Sequence, residues 1–238
     1  MPQQHTSHDS TERAPYPGVF VTLEGGDGTG KSTQARLLAQ RLEACGYTVC
    51  SVHEPGGTQL GERVRAILLD TGLSGMGARS ELLLFEAARA QLVDEVIVPH
   101  LRAGHVVISD RFFDSTVAYQ GYGRGIALET VGQLNAVATA GIVPDRTVLL
   151  QLDASCGVQR ACGTGGGGDR MERAGEEFHE RVAAGFERIA ADEPERVRVV
   201  DARGSVEDVR RAVWRAVADL FEQVDASASD EGLERGDG

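Results

Sequence analysis

Between an apolar run, Val19 to Leu23, and a helical pattern opening at Lys31 lies Gly25-Gly26-Asp27-Gly28-Thr29-Gly30-Lys31-Ser32, a GxxxxGK[ST] segment. A strand that turns through glycines into a helix curls successive backbone N–H groups around a phosphate, and the helix N-terminus adds partial positive charge. Lys31 is placed to reach terminal phosphates, and the Ser32 hydroxyl to ligate Mg²⁺. Composition singles out the lysine, because every one of the 24 basic residues except Lys31 is arginine. A compact ammonium fits between phosphate oxygens where a planar guanidinium clashes.

The rest of the chain supplies a fold for such a loop. Val19 to Leu23, Tyr47 to Val52, His105 to Ser109, Thr147 to Leu152 and Val197 to Val200 read as strands. Helical patterns are expected at about 31–45, 58–70, 79–102, 126–140, 172–191 and 205–224. Strands alternating with helices predict an α/β protein with a parallel sheet. Residues 18–224 are expected to form one domain between polar tails, 1–17 and the acidic 225–238. The glycine run Gly163 to Gly168 reads as a mobile loop within a lid at about 160–173.

A second carboxylate site is expected at Asp110, which ends the apolar run Val106 to Ser109 and faces the Mg²⁺. Arg111 beside it gives local positive charge to a chain whose net charge is -12. That acidity argues against nucleic-acid and anionic-membrane partners. Cys45, Cys50, Cys156 and Cys162 form no CxxC pair and are expected to be reduced, mostly buried thiols. With no charged leader and no apolar run of about 18 residues, a cytoplasmic location is expected.

Four blocks resemble the thymidylate kinase family over roughly residues 18–222: Leu23 to Thr33, Glu54-Pro55-Gly56-Gly57-Thr58, Leu84-Phe85-Glu86-Ala87-Ala88-Arg89, and Asp110-Arg111-Phe112 running on to Ser115 through Gly121. The resemblance implies a P-loop NTPase fold with a five-stranded parallel sheet, its first strand central, and a homodimer. It implies transfer of the ATP γ-phosphate to dTMP with Mg²⁺. It extends the nucleotide cradle to Thr33 and assigns Asp27 to the sugar 3′-hydroxyl. Glu54 is implied to lie in the loop near the acceptor phosphate and Arg65 and Arg111 to hold that phosphate, with Ser115 in the same block as Arg111. Phe85 is implied to stack on the base, Arg89 to donate to it, Thr116 and Gln120 to bond it, and Tyr119 to lie against the sugar. Phe85 and Arg89, four apart on a predicted helix, project from one face.

Gly28 leaves the phosphate loop without the arginine that other family members place there. The lid, reading Arg160-Ala161-Cys162 and then glycines up to Asp169-Arg170-Met171-Glu172, lacks a central arginine. Arg160 and Arg170 flank the glycine run, and Arg170 is the favoured partner of the transferring phosphoryl group. The alternatives are another nucleoside monophosphate kinase or one with relaxed pyrimidine choice, and a non-catalytic nucleotide-binding module. A GTPase is excluded, because its Asn-Lys-x-Asp segment needs a lysine other than Lys31.

Overall fold

The computed structural model describes residues 16–73, 75–152 and 170–221. Five strands, β1 (Val19–Glu24), β2 (Val49–His53), β3 (Val106–Asp110), β4 (Arg146–Gln151) and β5 (Val197–Asp201), form one sheet in the order β2-β3-β1-β4-β5. All neighbours run parallel. The expected strands are thus found within two residues at each end, with β1 central.

Alternation along the strands explains the layers, since successive side chains leave opposite faces. Val21, Leu23, Val106, Ile108, Val148 and Leu150 meet α1 (Lys31–Ala44) and the last long helix through Leu38, Leu42, Val209 and Val213. Phe20 and Val107 point the other way, onto Leu92, Val93, Ile97 and Leu101. A sheet covered on both faces accounts for the near-continuous apolar strands.

The remaining helices are α2 (Gln59–Leu69), α3 (Ala78–Leu92), α4 (Val98–Arg102), α5 (Phe113–Thr116), α6 (Leu128–Ala138), α7 (Glu176–Asp192) and α8 (Val206–Val217). Thr58 caps α2 by accepting from the Gly61 N–H, and Ser205 with Asp208 forms a capping box on α8. The helix expected at 79–102 is continuous, but it passes through a π-helical stretch, Val93–Ile97. Pro99 has no N–H to give to the preceding turn, so the ladder shifts register there. The expected buried character fails for Cys45, which is exposed at the end of α1, and Cys50 is half-buried. Cys156 and Cys162 lie outside the described residues.

Sequence patterning left 113–123 without a helix, yet α5 continues into a π-helical segment, Val117–Gly123. Its glycines, aromatics and β-branched residues are poor helix formers. Packing overrides them: Gly123 lies against Phe178 and Val182, and Tyr122 against Gly185 of α7. A Cβ on Gly185 would stand 2.8 Å from the Tyr122 ring.

Candidate active site

Parallel pairing collects the expected residues at one edge of the sheet. Leu23 is in register with Asp110 and His53 with Asp110, so the phosphate loop, the end of β3 and the Glu54 turn leave the sheet together. The loop geometry demands its glycines. Gly25 has φ 135°, and a Cβ there would stand 2.3 Å from the Leu150 carbonyl oxygen. Gly30, at φ 91°, starts α1 without any side-chain cap, which leaves the helix N-terminus open to an anion.

Lys31 folds back over this loop, donating to the carbonyls of Gly25 at 3.1 Å and Gly26 at 2.7 Å. Burial, then the neighbouring Arg111 charge, pushes its pKa down to about 8. The Ser32 hydroxyl donates to Asp110 Oδ2 at 2.5 Å. A hydroxyl and a carboxylate converging at the mouth of the loop are the hard oxygen ligands that suit Mg²⁺.

Arg111 occupies a left-handed backbone conformation, φ 74°, unusual for a side chain with a Cβ. Three contacts clamp it there. Its N–H donates to the Leu23 carbonyl at 3.0 Å, its carbonyl accepts from Ser109 Oγ, and the next N–H, of Phe112, donates to Glu24 at 2.7 Å. Strain held by such over-determination is characteristic of functional sites. The guanidinium reaches Asp27, the Gly25 carbonyl and Ser115 Oγ, while Tyr119 donates to the other Asp27 oxygen at 3.2 Å. Burial works to raise the Asp27 pKa, but Arg111 and Lys31 outweigh it and hold the carboxyl below the ordinary value.

Glu24, adjacent to the loop yet not singled out by sequence, is the buried anchor of this clamp. It also accepts from Ser115 Oγ at 2.6 Å. Burial, reinforced by Asp114, raises its pKa to about 7. The folded state therefore binds more protons than the unfolded chain between pH 4.5 and 7, and stability falls as pH rises through that window. Glu24→Gln keeps the acceptor for Phe112 and removes the titration. Its melting temperature should gain on the wild type's as pH rises from 4.5 to 7; parallel profiles would contradict the assignment.

A cleft of about 730 Å³ gathers Asp27, Gly28, Gly30, Lys31, Ser32 and Thr33 from the loop with Glu54, Arg65, Phe85, Arg89, Asp110, Arg111, Ser115, Thr116, Tyr119 and Gln120. His53, Pro55, Leu69, Phe112 and Met171 complete it. The π-helical turn after Thr116 places Tyr119 and Gln120 on the same wall. Among the described residues Thr116 Oγ1 has no hydrogen-bond partner despite its burial, so its donor and acceptor capacity is open to a ligand. Gly25, Gly26 and Thr29 line a second cleft of about 600 Å³ with Gln151, Leu152, Asp201 and Arg203. The two clefts share Asp27 and Tyr119.

Arg89 is set more deeply than a helix-surface reading implies. Its guanidinium is 1% exposed and donates to Glu54 at 2.7 and 2.9 Å, Glu86 at 3.1 Å and Asn135 at 3.0 Å. Arg65 donates to the Pro55 carbonyl at 2.9 Å. Arg170 departs from its expected place over the donor phosphates. Its guanidinium is held by Glu81 and the Leu68 carbonyl, and it lines neither cleft. The physical reason is Glu81, a carboxylate 1% exposed that requires cationic partners and takes Arg124 as well. Arg160 lies outside the described residues. Glu81 and Glu24 escaped the sequence reading because their partners are far apart in the chain.

Known proteins match this arrangement over most of its length. The family described as Thymidylate kinase matches residues 23–213. A thymidylate kinase from Solidesulfovibrio magneticus is 51% identical over 209 residues, covering 85% of this chain and 100% of the relative. One from Cutibacterium acnes is 47% identical, covering 86% and 98%. The crystal structure of thymidylate kinase from Ehrlichia chaffeensis superimposes with a TM-score of 0.69 at 36% identity, covering 84% of this chain and 98% of that one.

Proposed function

The chain belongs to the thymidylate kinase family, and from that premise we propose that the Lys31–Arg111 cleft brings dTMP in line with the γ-phosphate of ATP. The protein is an ATP-dependent dTMP kinase that yields dTDP and ADP. The observation that carries this assignment of the site is the convergence of the phosphate loop with Arg65, Phe85, Arg89, Thr116 and Gln120 around one cleft.

An oxygen of the dTMP phosphate attacks the γ-phosphorus, the bond to the β–γ bridging oxygen breaks, and that oxygen leaves on ADP. The nucleophile is already anionic, so no side chain need take a proton. Loop N–H groups and Lys31 hold the donor phosphates, with Lys31 exchanging the Gly25 and Gly26 carbonyls for phosphate oxygens. Arg111 and Arg65 grip the acceptor phosphate, Glu54 fixes Arg89 toward the base, and Asp27 with Tyr119 bounds the sugar. Ser32 and Asp110 would hold Mg²⁺, which would supply neutralisation of phosphate charge when bound. Arg160 and Arg170 remain candidates for transition-state charge if the 170–173 turn leaves Glu81.

A panel of nucleoside monophosphates assayed with ATP tests the reading. Fastest ADP release with dTMP is expected, and equal rates across the panel would refute the substrate assignment.

The proposal includes a single catalytic domain over 18–224 in a cytoplasmic homodimer. Among the described residues no helix is long and apolar enough to cross a membrane. Dimerisation is supported by apolar side chains left outward on helices that pack side by side: Leu60 and Ile67, seven apart on α2, Leu83 on α3 and Val137 on α6. Burying such side chains favours association by about 25 cal/mol per Å². Light scattering should give twice the 25.3 kDa chain mass, and Leu83→Asp should shift it toward the monomer. A wild-type monomer at assay concentrations would overturn the dimer.

A further inference from the structure

Behind the wall of the acceptor cleft, Glu81 sits at the start of α3 without lining the cleft itself. Its Oε1 accepts from Gln120 Nε2 at 3.0 Å and from Arg124 Nε at 3.0 Å, and its Oε2 from Arg124 Nη2 at 3.1 Å and from Arg170 Nη1. Burial works to raise its pKa, and the hydrogen bonds from Arg124, Gln120 and Arg170 outweigh burial, leaving it below the ordinary carboxylate value. Glu81 is therefore ionised at neutral pH, and an ionised carboxylate can only accept hydrogen bonds. Gln120, 1% exposed and lining the cleft, must turn its NH₂ group toward that carboxylate. Its amide oxygen is then the group left for a ligand in the cleft.

We propose that Glu81 is a positioning residue for base selection: by holding the Gln120 amide in one orientation, it makes Gln120 present an acceptor to the base. The inference rests on the reading that this cleft takes dTMP. A thymine or uracil ring carries an N3–H donor, which an amide oxygen accepts. Cytosine carries a bare N3 lone pair at that place, and a fixed amide oxygen repels it. Glu81 thereby sets discrimination against cytosine without touching substrate. Two arginines keep the carboxylate charged, and so keep the amide from flipping.

The test compares kcat/KM for dTMP and dCMP in the wild type, Glu81→Gln and Glu81→Asp. Glutamine keeps the shape of the side chain but can donate or accept, so Gln120 becomes free to turn. The dTMP:dCMP ratio should fall about tenfold or more, the worth of roughly one buried hydrogen bond. The loss should lie in the KM values for monophosphate, with that for ATP unchanged. Glu81→Asp, still an obligatory acceptor, should retain more of the ratio than Glu81→Gln. A lowered melting temperature with an unchanged ratio, or an aspartate variant no better than the glutamine one, would show that Glu81 only anchors its arginines and would overturn the proposal. Should Glu81→Gln fail to fold, Gln120→Met leaves Glu81 intact and should erase the same discrimination; wild-type discrimination in that variant overturns the proposal. A wild-type enzyme with no preference for dTMP over dCMP instead refutes the substrate reading itself.

Discussion

Lys31→Ala should lower phosphoryl transfer by roughly 10³-fold, within the range that one preorganised charge at a transition state supplies, while the protein stays folded. Lys31 is buried, and among the described residues it donates only to the Gly25 and Gly26 carbonyls. Burial and the neighbouring Arg111 charge disfavour the ammonium and push its pKa down to about 8, so below pH 8 its charge costs stability. As pH rises from about 8 toward 10.5 that cost disappears. The alanine variant should accordingly melt no lower than the wild type at pH 7, and should lose the stabilisation that ATP confers. Lys31→Arg should fail as well, because a planar guanidinium does not fit where the ammonium bridges two carbonyls. Near-wild-type turnover in folded Lys31→Ala would sink the phosphate-cradle account.

Arg89→Ala should be the most destabilising single change around the cleft. The guanidinium neutralises two carboxylates, Glu54 and Glu86, whose side chains are 4% and 7% exposed. Burial already raises both carboxyl pKa values against the pull of Arg89. Removing one member of such a network leaves uncompensated buried charge and costs about 3 to 5 kcal/mol. The deficit relative to wild type should shrink as pH falls, because Glu54 and Glu86 can then protonate. In whatever fraction remains folded, the KM for dTMP should rise more than that for ATP. Chemical denaturation at two pH values checks this, and a variant as stable as the wild type at pH 7 would refute the buried network. The sequence reading gave Arg89 only a contact with the base. Spacing places Phe85 and Arg89 on one face of a helix but cannot show that Glu54, 35 residues away, closes on the guanidinium.

The same division runs through the molecule. Strands β1 and β3 were legible because they are buried on both faces and open on the apolar runs Val19 to Val21 and Val106 to Ile108. The phosphate loop was legible because φ values near 90° and beyond require glycine. The central place of β1 came from the family resemblance, and the full strand order only from the structure, since strand neighbours are fixed by long-range pairing. The helical path through 113–123 was hidden, because contacts with α7 rather than local propensity hold it. The hold on Arg170 was hidden for a similar reason: its partner Glu81 lies 89 residues earlier, and a buried carboxylate competes for any arginine within reach.

The most direct measurement follows the label from [γ-³²P]ATP during a single turnover with equimolar dTMP. The account predicts that the label appears on the β-phosphate of dTDP, one dTDP for each ATP consumed. Label released as inorganic phosphate, with dTMP left unchanged, would contradict it.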